Sequence, residues 1–130
     1  MIRNAARIVG IIYLIAGIAG FIPGLAQPDP TMPGMSIVLG LFPVNLLHNV
    51  VHLLVGLAGL GLAGSLANAR TYFKTLAVVF ALLAILGSIQ VASTLWGLLP
   101  LGGLDIGLHA LTAILAIYFG WIATETSATA

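Results

Sequence analysis

Long runs of apolar residues, separated by short polar or proline-rich stretches, dominate the sequence. A helix needs about 20 mostly apolar residues to cross a lipid bilayer. Four segments meet that requirement, at residues 8–25, 44–67, 72–98 and 104–123. The pattern therefore predicts an all-α fold, a transmembrane four-helix bundle with up-down-up-down topology, in which residues 1–130 form a single membrane domain.

The link between the first two segments, residues 27–43, differs from the rest of the chain in its proline content. It contains Pro28, Pro30, Pro33 and Pro43. Proline removes a backbone donor and disfavours helix interiors, so we expect this link to be largely non-helical. Within the link, residues 36–42 are apolar, and we expect them to lie on the membrane surface or over the bundle.

Small residues recur at helical spacing in each predicted span, for example Gly10 and Gly17 in the first and Gly56 and Gly59 in the second. In lipid, faces of small residues let helices approach closely, so these faces are expected to form helix–helix contacts. We expect hydroxyl groups inside the spans, such as those of Ser88 and Thr112, to bond to carbonyl groups of their own helix.

Composition supports a membrane environment, since 61% of the residues are hydrophobic and only 5% are charged. Soluble domains carry about 25% charged residues. The lipid bilayer is therefore the expected surroundings. A formal net charge of +1 offers no basic surface for nucleic acid, which excludes that class of partner. The chain has no cysteine, which excludes disulfides and thiolate ligands.

The basic residues predict the orientation. Arg3 and Arg7 precede the first span, and Arg70 and Lys74 lie at the turn between the second and the third. The loops on the opposite side contain neither lysine nor arginine. The positive-inside rule therefore places both termini and the basic turn in the cytoplasm, and the proline-rich link outside.

Two polar pairs open the second and fourth predicted helices. His48 and His52 are four residues apart, as are Asp105 and His109, so each pair projects from one helix face. Both helices start on the outer side, so the two pairs should lie at nearly the same membrane depth. They should also point toward the helix-packing side, because small residues continue each face.

Three imidazoles and one carboxylate are a suitable ligand set for zinc, iron, manganese or copper. We therefore predict a metal site formed by His48, His52, Asp105 and His109. Outer hydrogen bonds to the rings are expected from polar residues nearby, namely Asn45, Asn49 and Gln90.

Two other interpretations of the polar residues remain open at this point. The same side chains could form a hydrogen-bonded polar plug that fixes helix register, in a structural or accessory subunit of a larger membrane complex or homo-oligomer. Alternatively, two of the three histidines could ligate a haem in an electron carrier. The sequence assigns no reaction, because it offers no nucleophile–base pair with a third orienting residue.

Three stretches carry a resemblance to a known family: residues 20–24, residues 41–56 with their Asn-x-x-His-Asn-x-x-His motif, and Asp105 followed by His109. In these the chain resembles the uncharacterised bacterial family named domain of unknown function 4383. The resemblance implies a small bacterial membrane protein with four spans, and we expect the protein in the bacterial inner membrane. It implies that the shared polar set includes His48, Asn49, His52, Asp105 and His109, and it implies no established activity. Ile106 departs from the more polar residue usual after the aspartate.

Overall fold

The computed structural model describes residues 1–89, 95 and 97–125. In this part the chain is mostly helical. The helices are α1 (Ile2–Ala19), α2 (Leu46–Leu62), α3 (Leu66–Gly87) and α4 (Leu104–Ile117), and α4 continues into a π-helical segment, Tyr118–Ile122. Three short strands lie between α1 and α2, namely β1 (Ala26–Pro28), β2 (Ser36–Val38) and β3 (Phe42–Val44).

Three helices of the described part are long and apolar enough to cross a membrane. They are Ile2–Ala19, Leu66–Gly87 and α4 with its extension, Leu104–Ile122. The helix α2 is also apolar but is shorter, with 17 residues. The prediction of a mostly helical fold is therefore confirmed, and the three apolar helices are consistent with a membrane protein.

Helix boundaries differ from the predicted spans where side chains cap the helices. The second helix begins at Leu46 because the Asn45 side chain accepts the backbone N–H of His48, at 2.8 Å. The third begins at Leu66, six residues earlier than predicted, because Ser65 Oγ accepts the backbone N–H of Asn68. Both are N-caps, which satisfy backbone donors that a helix start leaves without partners.

The proline-rich link folds into a three-stranded antiparallel sheet of order β1-β2-β3, so the prediction of an all-α fold was incomplete. Pro28 and Pro43 lie in the edge strands β1 and β3, and the central strand β2 contains no proline. This placement follows from chemistry, because proline cannot donate a hydrogen bond to a neighbouring strand. Gly40 supplies a positive φ of 70° in the turn between β2 and β3.

The helices pack mainly in two pairs, α1 with α2 and α3 with α4. Glycine allows the first pair to approach closely. A Cβ added at Gly10 would lie 2.8 Å from the carbonyl oxygen of Gly56, and one added at Gly56 would lie 2.7 Å from the carbonyl oxygen of Gly10. The predicted small-residue faces of these two helices are thus in contact, and no side chain larger than hydrogen fits between them.

The two helix pairs meet over a core of aromatic side chains and alanines. Phe73 and Phe80 of α3 are fully buried in it, and Tyr13 of α1 packs on Phe80 with ring centroids 5.2 Å apart. The exposed surface of the helices is also apolar, as Ile15 of α1 and Ile114 of α4 illustrate, which is consistent with a lipid environment.

Arg3, Arg70 and Glu125 lie at one end of the helices. Arg3 Nε donates to the carbonyl of Ala63 at 3.0 Å, and an Arg70 guanidinium nitrogen donates to the carbonyl of Ala123 at 2.7 Å. The Glu125 carboxylate accepts from the Met1 ammonium and from the backbone N–H of Ile2, and the Met1 contact holds the pKa of this carboxyl below its usual range. The start of α1, the end of α2 and the end of α4 therefore lie together.

The close contact at Gly10 predicts that substitutions at Gly10 and at Gly61 differ in their effect on the free energy of unfolding. Replacing Gly10→Leu forces a side chain against the backbone of α2 and should destabilise the protein by about 1–3 kcal/mol, the usual range for overpacking. Unfolding in detergent by heat or denaturant measures the change. The matched control is Gly61→Leu, because nothing lies within 4 Å of a Cβ at Gly61. Equal effects of the two substitutions would contradict the close α1–α2 contact.

Candidate functional site

The first polar pair lies in the opening turns of α2. Asn45 caps this helix, which fixes His48 in its first turn and places His52 one turn further along the same face. The two Nε2 atoms are 3.1 Å apart, and the rings meet edge to face. His48 is buried, with 4% of its surface exposed. The predicted i, i+4 pairing of these histidines therefore brings both rings into direct contact.

The second polar pair lies at the start of α4. Gly103 precedes this helix with a φ of 62°, a conformation that favours glycine, and Asp105 lies in the first turn. A carboxylate at this position interacts favourably with the exposed N–H groups of a helix start. Asp105 Oδ2 is 3.4 Å from His109 Nε2, and both side chains are buried.

The two pairs come together between the helices. The rings of His48 and His109 stack with centroids 6.4 Å apart and planes inclined by 25°, and Phe80 of α3 contacts His109 from another side. All three imidazoles line one small void of about 20 Å³. A void needs roughly 10–15 Å³ to hold one water molecule. This void therefore has room for a single water or ion.

The predicted ligand set is close together but does not surround a common point. Within the described residues, no three histidine, aspartate or glutamate side chains form a group that could hold a metal ion as they stand. Asp105 Oδ2 and His109 Nδ1 are buried without hydrogen-bond partners. His48 Nδ1 also has no partner of ordinary geometry, although this ring lies near the carbonyl of Pro100. Buried polar atoms of this kind normally pair with protein, water or an ion.

The three residues predicted as outer hydrogen-bond partners have different surroundings. Asn45 bonds to the backbone, both as the cap of α2 and through Nδ2 to the carbonyl of Leu98 at 2.8 Å. Asn49 packs against Gly20, where a Cβ would overlap its amide, and its Oδ1 has no partner. Neither asparagine bonds to an imidazole among the described residues. Gln90 lies outside them.

The site also includes Tyr13 and Thr112, which the sequence did not assign to it. Tyr13 of α1 meets the His52 ring edge to face at 5.1 Å, and its hydroxyl forms a 2.8 Å hydrogen bond with Thr112 Oγ1 of α4. The expectation that Thr112 bonds to its own helix was wrong, whereas Ser88 does bond to the carbonyl of Ala84. Tyr13 lies three residues after Gly10 and four before Gly17, so the glycine face of α1 already indicated its inward direction.

A larger cavity of about 220 Å³ adjoins the site between α1 and α4. Polar groups from both helices and from α2 face it, among them Tyr13, His52 and Asp105. The remaining lining is apolar. The site thus consists of a small void among the imidazoles and a larger cavity beside it.

Comparisons with known proteins identify a family but no function. A family model described as Domain of unknown function (DUF4383) matches residues 3–122, which is most of the chain. No curated protein and no solved structure matches the chain.

The Tyr13–Thr112 hydrogen bond links α1 to α4, and a double-mutant cycle measures its contribution. Tyr13→Phe and Thr112→Val each remove one hydroxyl while preserving shape. We expect a coupling free energy near the 0.6 kcal/mol average for hydrogen bonds between membrane helices, with about 1.7 kcal/mol as the upper range. Unfolding in detergent supplies the four stabilities. Strict additivity of the two substitutions would show that the hydroxyls do not interact.

Proposed function

The chain belongs to the DUF4383 family, and we propose that it is a small integral membrane protein that binds a transition-metal ion among His48, His52 and His109. The observation that carries this proposal is the void of about 20 Å³ that these three imidazoles line together. A void of this size suits one small ion and is far too small for a porphyrin, which favours a metal ion over haem.

The spacing of the donors supports the proposal. Two ligands 2.0–2.1 Å from a tetrahedral metal lie about 3.3 Å from each other. The Nε2 atoms of His48 and His52 are 3.1 Å apart, close to that separation. Imidazole is a good ligand for zinc, copper and iron, and the added carboxylate extends the range to manganese. Among the described residues no three donor atoms surround one point, so metal binding requires the His109 ring to move toward His48 and His52.

Asp105 has a defined part in this proposal. Metal-binding histidines commonly present one ring nitrogen to the metal and the other to a carboxylate, which orients the ring. His109 matches this arrangement, because Nε2 faces Asp105 Oδ2 at 3.4 Å while Nδ1 has no partner. The carboxylate also balances the charge that a cation brings into an apolar interior. We therefore place Asp105 beside His109, as its partner or as a fourth ligand.

Elemental analysis of gently extracted protein tests the proposal. We expect close to one equivalent of a transition metal per chain, and loss of most of it in the double variant His52→Ala with His109→Ala. Because that variant removes packing as well as ligands, His52→Gln serves as a second variant that keeps a hydrogen-bonding group. Asn68→Ala is the control, as this exposed residue lies in the first turn of α3, away from the site.

Metal-free wild-type protein whose thermal stability is unchanged by added zinc, copper, iron or manganese would contradict metal binding. That result would favour a second candidate function, a structural or accessory subunit in which the cluster joins helices. The specific observations in its favour are the stacking of the His48 ring of α2 on the His109 ring of α4 and the Tyr13–Thr112 bond between α1 and α4. Migration with other proteins in native gels would support this second candidate.

We further propose that all four helices cross the bilayer as an up-down-up-down bundle, with both termini in the cytoplasm. The positive-inside rule supports this orientation, since Arg3 and Arg70 both contact the end of the helices where Met1 meets Glu125. The sheet and the metal site would then lie toward the outer face. For a bacterial cell this places the protein in the inner membrane.

The absence of native cysteine makes the orientation directly testable. A cysteine introduced by Thr31→Cys, in the turn between β1 and β2, should react with a membrane-impermeant maleimide applied to spheroplasts. A cysteine introduced by Asn68→Cys, near the basic end, should react only after the membrane is permeabilised. The reverse pattern would invert the proposed topology, and reaction at both positions in intact spheroplasts would exclude it.

A further inference from the structure

The cavity of about 220 Å³ between α1 and α4 opens toward the lipid-facing side of the helices. Its outer lining includes Ile12 of α1 and Leu111 of α4, which are 56% and 52% exposed. These two helices do not pack closely on each other, because α1 packs mainly on α2 and α4 mainly on α3. A molecule dissolved in the bilayer can therefore enter between them without crossing the aqueous phase.

The inner wall of the cavity carries polar side chains, unlike the apolar outer lining. Tyr13, His52, Asp105, His109 and Thr112 all line it. Asp105 Oδ2 and His109 Nδ1 have no hydrogen-bond partner, although each residue is only 3% exposed. The Tyr13 and Thr112 hydroxyls bond to each other, and each retains a further site for a hydrogen bond. The cavity thus combines an apolar entrance with several hydrogen-bonding groups at its inner end.

Charge restricts the occupant. No lysine or arginine is among the residues described around this cavity, so nothing there neutralises a phosphate or a fatty-acid carboxylate. An anionic head beside the buried Asp105 would be repelled and poorly solvated. A cationic head would compete with the His109 imidazole, which lies 3.4 Å from Asp105, the one carboxylate among the residues that line the cavity. A neutral head group with hydrogen-bonding atoms is the chemistry that remains.

The size and shape of the cavity restrict the possible occupant further. Pockets that enclose a drug-sized ligand measure about 300–1,000 Å³, so a cavity of about 220 Å³ holds only part of a larger molecule. The rest must lie in the lipid at the entrance. Aromatic rings border the inner end, with Tyr13 and His52 in edge-to-face contact and Phe73 nearby. Aromatic walls favour a flat ring, because rings pack well edge to face.

We propose that this cavity binds the head of a neutral, membrane-soluble ring compound of the quinone–quinol class, with the apolar tail passing out between α1 and α4. A carbonyl oxygen of a quinone head accepts a hydrogen bond from the Tyr13 or the Thr112 hydroxyl, and a hydroxyl group of a quinol head donates to the Asp105 carboxylate. This binding uses a cavity distinct from the void among the three imidazoles. His52 and His109 border both spaces, but the hydrogen bonds to the head come from Tyr13, Thr112 and Asp105, so the binding does not require the metal.

Photolabelling in lipid nanodiscs tests the proposal. The probe is a benzoquinone with a decyl tail that carries a diazirine, and peptide mass spectrometry locates the labelled residues. We expect labelling on the cavity faces of α1 and α4, displaced by unlabelled decyl-benzoquinone but not by decanoate. The labelling should persist after metal is stripped with a chelator, which separates this result from failure of the metal proposal.

Two variants and a control give the test its specificity. Ala16→Phe places a ring into the cavity from its exposed wall and should lower labelling at least about tenfold, which corresponds to 1.4 kcal/mol of binding free energy. Tyr13→Phe keeps the aromatic packing and should lower labelling several-fold. Ile15→Phe is the matched control, because Ile15 lies on the same helix, faces lipid and is absent from the cavity lining.

Each of four results would overturn the proposal. Labelling that is spread evenly over lipid-facing residues would show adventitious partition into lipid. Labelling that is unchanged in the Ala16→Phe variant would show the same. Displacement by decanoate as efficient as by the quinone would show that the head group is not recognised. Displacement by a neutral monoacylglycerol as efficient as by the quinone would replace the ring compound with a neutral lipid.

Discussion

Polar side chains inside an apolar membrane protein must find their partners within the protein, because lipid offers neither donors nor acceptors. This constraint governs the arrangement of His48, His52, Asp105 and His109. Each pair lies at the start of a helix, where capping by Asn45 or a positive φ at Gly103 fixes the first turn. The pairs contact each other between α2 and α4 rather than facing lipid.

The rest of the fold brings these groups together. Close contact at Gly10 and Gly56 joins α1 to α2 and places Tyr13 beside His52. The bond from Tyr13 to Thr112 and the packing of Phe80 on His109 then join the two helix pairs. The residues of the polar site therefore also hold the α1–α2 pair against the α3–α4 pair. Substitutions of these residues change packing as well as polar chemistry, so every functional test at the site needs a stability measurement beside it.

Local periodicity accounts for the features that the sequence predicts well. Spacing of four residues placed His48 with His52 and Asp105 with His109, and the glycine spacing identified the face of α1 that meets α2. The sheet was not predicted, because strands of three residues carry too little alternation to detect. The start of α3 was placed too late, because the charges at Arg70 and Lys74 suggested a turn although Ser65 caps a helix there. The Tyr13–Thr112 bond joins residues far apart in the chain, which no local pattern reveals.

Solid-state NMR of the protein in bilayers, with only histidine isotopically labelled, tests the central claim that the polar pairs of α2 and α4 form one site. The chain has three histidines, so His52→Gln suffices to begin assigning the ring signals. We expect through-space correlations from the His48 ring to His52 and also to His109, across the 6.4 Å between the latter ring centroids. Correlations of His109 with lipid acyl chains alone, and none with His48, would contradict the structure of the site.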